Sequence, residues 1–289
     1  MATITGAVVQ MGSTSDKAAN LARAEKLIRA AAGRGAQFVA LPEMFNWRGK
    51  RNEERAAAQD LSGPTLSLAA RLAAELQIHL LAGSIAERID GYDKNYNTSV
   101  LFGPDGSRLA VYRKIHLFDV ELPNGLTIRE SAVKEAGDRI VVAETSIGRM
   151  GLTVCYDVRF PELYRALASA GAQLVTVPSA FTFPTGEAHW EVLLRARAIE
   201  NQVFVVAPGQ FGHNVHGFND YGNSMIIDPW GRVLARMGDV EGVALAEMDF
   251  GYLERVRTEL PCLEHRRLPQ VEDQRNRAED LRNKVELRH

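Results

Sequence analysis

Cysteine is scarce: the chain has two in 289 residues, Cys155 and Cys262. Two thiols in such different contexts make no disulfide framework, so a reduced, cytoplasmic protein is expected. A dominant charge is also missing. With 34 basic and 36 acidic residues the net charge is -2, and neither nucleic acid nor an anionic membrane is an expected partner. No apolar run reaches the roughly 20 residues of a membrane helix. The segment Met1–Gln10 has no charged start and no long apolar stretch, so no signal peptide is expected. Without one, the sequon Asn97-Thr98-Ser99 reads as a chance match. No glycine loop that would cradle phosphate occurs. His213 and His216 stand three apart in a glycine-rich segment with no further ligand in view, so neither a metal nor a cofactor is expected.

What is present is an ordinary globular balance, 46% apolar and 24% charged, in strand-like and helix-like segments that alternate from end to end. Strands are expected at Ile4–Gln10, Phe38–Leu41, Ile78–Ala82, Leu174–Val177, Val203–Ala207 and Val243–Met248. Helices are expected at Lys17–Ala32, Pro64–Leu76, Glu162–Ala170, Glu187–Glu200 and Tyr252–Glu259, with Pro64 suited to a first turn. Turn residues mark hairpins at Ser99–Phe102 with Leu109–Tyr112, at Ile140–Ala143 with Met150–Val154, and at Asn223–Ile227 with Val233–Arg236. A purely parallel doubly wound sheet does not hold that many hairpins. Two mixed β-sheets packed face to face, with helices outside both, do. We read one α/β domain over residues 1–269. From Gln270 to His289 the chain is charged and too poor in apolar residues for a core, which reads as a solvated tail.

Three residues carry the chemistry. Cys155 ends the apolar run Gly151-Leu152-Thr153-Val154 and is followed by a polar elbow and Pro161, which suits the first turn of a helix. Backbone N–H groups and a helix dipole at such a junction favour thiolate. Glu43 closes Phe38-Val39-Ala40-Leu41-Pro42, and Lys114 stands in Tyr112-Arg113-Lys114-Ile115-His116. Each has a plain alternative: a buried cysteine acting as a small hydrophobe, a carboxylate in a helix's first turn, a solvated lysine. Together they make a set for acyl transfer. The thiolate attacks a carbonyl carbon, Glu43 serves as base, and Lys114 with the N–H of Tyr156 stabilises the oxyanion. Water then hydrolyses the acyl-thioester. A papain-like pairing of Cys155 with His189 is the competing arrangement, but His189 lies inside a helical pattern.

These segments resemble the nitrilase superfamily of carbon-nitrogen hydrolases across residues 3 to 268. The resemblance extends over Tyr112–Pro123, Pro178-Ser179-Ala180-Phe181, Ala188–Gln202 and Asp228-Pro229-Trp230-Gly231. It implies a four-layer αββα sandwich, a homodimer formed across outer helices, and a Glu-Lys-Cys triad made here by Glu43, Lys114 and Cys155. It also implies a substrate-positioning glutamate, carried to Glu130 in Arg129-Glu130-Ser131. Cys155-Tyr156-Asp157 resembles the amidase side of the superfamily, and Arg159-Phe160-Pro161-Glu162-Leu163 its Nit-type branch. That branch hydrolyses deaminated glutathione and amides of 2-oxo-dicarboxylic acids. Such substrates carry a carboxylate, for which Arg159 is a candidate partner, while Tyr156 is a candidate wall of the acyl pocket. The alternatives are a nitrilase or N-carbamoyl amidase with the same triad, and a thiol redox or binding protein on the same fold. Gly222-Asn223-Ser224-Met225 departs from relatives in having Asn where His is frequent.

Overall fold

The protein is described from a computed structural model, over residues 3–121, 127–215 and 217–267. The expected tail from Gln270 to His289 lies outside the described residues.

In chain order the first strands are β1 (Thr3–Gln10), β2 (Phe38–Ala40), β3 (His79–Leu81), β4 (Ile85–Arg88), β5 (Asn95–Phe102), β6 (Arg108–Arg113), β7 (Asp119–Glu121), β8 (Thr127–Arg129) and β9 (Lys134–Glu135). The remainder are β10 (Val142–Thr145), β11 (Gly148–Leu152), β12 (Leu174–Thr176), β13 (Phe204–Ala207), β14 (Phe211–His213), β15 (Asn219–Tyr221), β16 (Met225–Ile227), β17 (Val233–Arg236) and β18 (Gly242–Asp249). The helices are α1 (Lys17–Gly33), α2 (Glu54–Ala57), α3 (Pro64–Leu76), α4 (Pro161–Ser169), α5 (Phe183–Asn201) and α6 (Phe250–Glu259).

Two large mixed sheets result. The first runs β18-β1-β2-β3-β5-β4, with β6 and β9 also pairing with β5. The second runs β10-β11-β12-β13-β16-β17. In each, parallel central strands are flanked by antiparallel ones: β1, β2 and β3 in the first, β11, β12 and β13 in the second. Strand alternation sorts the side chains of β1. Ile4 and Val8 join a core shared with Leu152 and Ile226 of the second sheet and with Met248 of the neighbouring strand β18. Ala7 and Val9 join the core beneath α1 and α3, with Leu27, Ile28 and Leu72. On the far side Trp190, Leu194 and Ala198 of α5 and Leu163 and Leu167 of α4 cover the second sheet. The layers are therefore helix, sheet, sheet, helix, as expected.

Local signals act where they were expected. The Asp16 side chain accepts the Ala19 N–H at 3.0 Å and starts α1. Pro64 and Pro161 occupy the first turns of α3 and α4. The sequence reading missed β4, β7, β8, β9, β14, β15 and α2. They are two to four residues long, too short for a periodic signal.

Candidate active site

Each chemically interesting residue follows a strand end. β2 finishes at Ala40, and Leu41-Pro42 carry the chain to Glu43. The segment after β3 supports this turn. Gly83 has φ +36°, and a Cβ there would lie 2.0 Å from the Pro42 carbonyl oxygen. Its neighbour Ser84 accepts the Met44 N–H through Oγ at 3.1 Å. Lys114 follows β6 directly, its N–H donating to the Asn97 carbonyl of β5 at 2.9 Å. β11 ends at Leu152, Val154 is extended, and Cys155 opens a short 3-10 turn, Cys155–Arg159, with φ +52°. A side chain at positive φ is strained unless its surroundings hold it there.

Asp157 does the holding. It is fully buried. Oδ2 accepts the Val154 N–H at 2.9 Å and the Tyr112 hydroxyl at 2.7 Å, and Oδ1 accepts the His116 N–H at 3.1 Å and lies 2.7 Å from His116 Nδ1. The Cys155 N–H donates to the Pro178 carbonyl at 3.0 Å. The elbow is thus tied to β6 in the first sheet and to the end of β12 in the second.

Glu43, Lys114, Glu130 and Cys155 converge on one cavity of about 440 Å³. Lys114 Nζ donates to Glu43 Oε1 at 3.1 Å and to Glu130 Oε2 at 2.8 Å. Asn97 Nδ2 donates to the same two carboxylates, at 2.8 Å and 3.1 Å. Glu43 Oε2 accepts the Ala180 N–H at 2.9 Å, and Glu130 Oε2 accepts the Phe118 N–H at 2.7 Å. Donor counting is informative here. An ammonium has three N–H groups, and Lys114 commits two to carboxylates. Glu43 Oε2 receives one donor, and the carboxylate is a hydrogen-bond partner of the Cys155 thiol.

Electrostatics follow from burial and charge. Burial works against the Lys114 ammonium, but Glu130 and Glu43 outweigh it and raise its pKa well above the ordinary lysine value. Burial likewise opposes charge on Glu130, yet Lys114, by charge and by hydrogen bond, together with the Phe118 N–H and Asn97 holds its carboxyl below the usual range. Cys155 goes the other way. Burial first, then the adjacent Glu43 charge, push the thiol well above its ordinary pKa, against the pull of Lys114. The expected resting thiolate is therefore overturned: this geometry favours a thiol beside a carboxylate, and the proton leaves when a substrate draws it.

Tyr156 and Arg159 do not line the main cavity. With Cys155, Phe181 and Thr182 they border an adjoining recess of about 10 Å³, room for roughly one water or one carboxylate oxygen. The Arg159 guanidinium stands 5.2 Å from the Phe181 ring and 5.9 Å from the Tyr156 ring. Burial lowers its pKa, and it has no carboxylate partner among the described residues. His189 is no partner of Cys155: its Nδ1 lies 3.2 Å from Arg159 Nη1. The His213–His216 expectation lies partly outside the described residues, since His216 does. Among those described, no group of three metal-ligating side chains gathers.

Sequence reasoning missed Asn97 and Asp157. Asn97 was set aside as part of a chance sequon, yet it is buried on β5 between two carboxylates. Its signal was available: an amide inside a buried strand needs partners. Asn223 has its own local reason. It sits at φ +53° and its Oδ1 accepts Arg236 Nε and Nη2 at 3.0 Å and 2.8 Å.

A buried thiol, a carboxylate and an ammonium on an αββα sandwich describe a hydrolase that forms covalent acyl intermediates. The comparisons agree. The carbon-nitrogen hydrolase family model matches residues 5–258. A deaminated glutathione amidase of Synechocystis sp. is 44% identical over 263 residues, 90% of this chain and 97% of the relative. An omega-amidase of Xenopus laevis is 42% identical over 271 residues, 93% of this chain and 98% of the relative. The crystal structure of the C. elegans NitFhit protein matches with a TM-score of 0.87 at 39% identity, over 92% of this chain; the chain spans 65% of that longer protein. The chain belongs to the carbon-nitrogen hydrolase family, and it is an amidase acting on carbon–nitrogen bonds other than peptide bonds.

Proposed function

We propose that this amidase cleaves small amides whose acyl part carries a 2-oxo-acid carboxylate, with Cys155 as nucleophile. The observation that carries the reading is the convergence of Cys155, Glu43 and Lys114 on one cavity. Glu43 accepts the thiol proton as sulfur attacks the amide carbon. The oxyanion that develops takes the third N–H of Lys114, the one not committed to a carboxylate. Glu43 returns the proton to the nitrogen, the C–N bond breaks, and the amine leaves an acyl-thioester. Water then enters, Glu43 takes its proton, and collapse of the second tetrahedral species releases the acid and returns the proton to sulfur. Glu130 and Asn97 act through Glu43 and Lys114, keeping the ammonium charged and both carboxylates in register.

Arg159 and Tyr156 are assigned to the acyl end. Arg159 is half-buried beside Cys155 with no carboxylate of its own, which suits a substrate carboxylate. Tyr156 packs edge-on against Phe118 and Phe160, at 4.9 Å and 5.2 Å between ring centroids, and forms a firm wall. The names of the relatives, deaminated glutathione amidase and omega-amidase, support this substrate class. Two free cysteines suit a reducing cytoplasm, and none of the described helices is long and apolar enough to cross a membrane. Val192 and Ile199 of α5 and Trp230 in the turn between β16 and β17, apolar and 48–68% exposed, fit a homodimer contact through this face.

Release of 2-oxoglutarate from deaminated glutathione and from 2-oxoglutaramate, measured in parallel, tests the reading. Turnover of at least one, lost in Cys155→Ala, is expected. Activity retained by Cys155→Ala, or no turnover of either amide, would sink it.

A further inference from the structure

A buried arginine stands in the main cavity and has no part in the reaction derived above. Arg48 lines that cavity with Glu43 and Cys155, and its side chain is 10% exposed. The turn that places the base also places Arg48. Met44, at φ +53°, bends the chain just after Glu43, and its carbonyl accepts the Trp47 N–H at 3.3 Å. Gly49 passes close against the Trp47 indole, where a Cβ would overlap the ring. The Arg48 N–H donates to the Thr14 carbonyl at 2.9 Å. Glu43 and Arg48 are thus the two ends of one tight turn, and they bring opposite charges to the same cavity.

The guanidinium is held at two points. Nη2 donates to Asp220 Oδ1 at 3.3 Å, and Nη1 donates more closely to Oδ2. Asp220 is buried on β15, where it bridges to Thr182. Among the described residues it does not line the cavity, so Arg48 stands between this carboxylate and the open space. A buried ion pair is weak evidence for stability, because desolvation offsets the attraction and apolar side chains of similar volume pack as well.

The charges around the thiol give the pair another use. The first sheet brings Glu43, Glu130 and Lys114 to the cavity, two carboxylates against one ammonium. On the thiol's own turn stand Arg159 and Asp157, the latter taken up by its donors. From α4 the buried Tyr164 hydroxyl comes within electrostatic reach of the thiol. A negative sulfur is costly in that company. Burial works against the charge on Arg48, and Asp220, Glu43 and Cys155 together outweigh burial and raise its pKa. Attraction between charges is mutual, so the same guanidinium eases negative charge on sulfur.

We propose that Arg48 is a further positioning residue of the reaction, acting on Cys155 through its field: it lowers the cost of negative charge on the sulfur, and Asp220 sets how much of that field reaches the cavity. The purpose rests on the amidase reading above; the effect on the thiol needs no substrate. As the S–H bond breaks, its electron pair stays on sulfur, and that pair then makes the bond to the amide carbon.

Alkylation by iodoacetamide, without substrate, tests the assignment. Sulfur bonds to the methylene carbon, iodide leaves, and the thiol proton passes to solvent. Mass spectrometry of the peptide that holds Cys155 reads the rate separately from Cys262. At about pH 8, Arg48→Met is expected to slow the reaction ~10-fold, with its acceleration moved to higher pH. Arg48→Lys keeps the charge but not the two-point contact and is expected to stay near the wild-type profile. Asp220→Asn leaves the guanidinium less neutralised and is expected to speed the reaction. A latch without an electrostatic role predicts otherwise, because all three variants break the same contact and would move the rate in one direction. Wild-type labelling in Arg48→Met, an equal loss in Arg48→Lys, or slowing in Asp220→Asn would overturn the proposal. Circular dichroism melts show which variants fold, and if Asp220→Asn does not, the contrast between Arg48→Lys and Arg48→Met decides alone. Labelling needs no turnover. Labelling that depends on Arg48, with neither oxo-acid amide hydrolysed, upholds Arg48 and defeats the amidase reading; turnover with labelling indifferent to Arg48 does the reverse.

Discussion

Asp157→Asn is a nearly isosteric change, and the structure lets its cost be worked out. The carboxylate takes donors on both oxygens: Val154 N–H and the Tyr112 hydroxyl on one, His116 N–H and Nδ1 on the other. An amide offers one oxygen. If it faces His116, the new NH₂ confronts the Val154 N–H; Tyr112 adapts by turning its hydroxyl, but the backbone donor cannot. If it faces Val154, the NH₂ confronts the His116 N–H. Either way one buried backbone donor loses its acceptor, which costs about 1–3 kcal/mol. The remaining bonds go to a neutral acceptor and weaken further. A destabilisation of roughly 2–4 kcal/mol follows, or a fall in melting temperature on the order of 5–15 °C at this size. Activity is expected to suffer separately, because the Val154 bond fixes the residue before the strained cysteine. A misplacement of about 1 Å at a reacting atom costs ~100-fold, so kcat is expected to fall by ~10- to 100-fold with a smaller change in KM. Thermal denaturation and steady-state kinetics on the same preparation read both. An Asp157→Asn enzyme with wild-type stability and wild-type kcat would refute the account of the elbow.

Three other outcomes follow from the same geometry. Because Cys155 rests as a thiol with its pKa pushed up, iodoacetamide inactivation without substrate is expected to be slow near neutral pH and to accelerate with pH beyond the ordinary thiol range of ~8.5; a flat, fast profile from about pH 6 to 8 would mean a preformed thiolate. Glu130 is held below its unfolded value of ~4.3, so its stabilising contribution is fully present above that value and is lost as pH falls through the folded one. The stability gap between wild type and Glu130→Gln in urea is expected to narrow on acidification from about pH 7 to about pH 3, and a constant gap would contradict the Lys114 pairing. Val192→Asp on the outer face of α5 is expected to lower the mass seen by light scattering towards that of a monomer without lowering the melting temperature of the fold; an unchanged mass would remove α5 from the interface.

The fold was legible wherever apolar periodicity ran for a turn or more. Pro64–Leu76 matches α3 end to end because Pro64 starts it and Gln77, left-handed, closes it. The order of pairing was not legible, since β5 gathers β3, β4, β6 and β9 from different distances along the chain. Short strands such as β7 and β8 pair through their backbones and leave no pattern in the side chains. In the site, Glu43, Lys114 and Cys155 stood out because a charged or reactive group at the end of a buried strand is costly without a purpose. Asn97 and Asp157 did not, because their value depends on what other strands bring to them. The protonation of Cys155 was misjudged for the same reason: local sequence showed a turn and a helix, while the deciding charge, Glu43, comes from a strand more than a hundred residues earlier.

The nucleophile belongs to one sheet and its base to the other. Glu43 and Lys114 ride on the first, Cys155 and the Ala180 N–H on the second; side chains such as Val8, Phe38, Leu152 and Ile226 pack between them, and the hydrogen bonds of Asp157 and Glu43 bridge them at the site. The alignment of the reacting atoms is therefore an output of interior packing, much as a vernier reads the offset between two rules. A methyl group added or removed deep in that seam slides one scale along the other. Turnover then becomes a gauge of core fit, sensitive to shifts too small to unfold the chain.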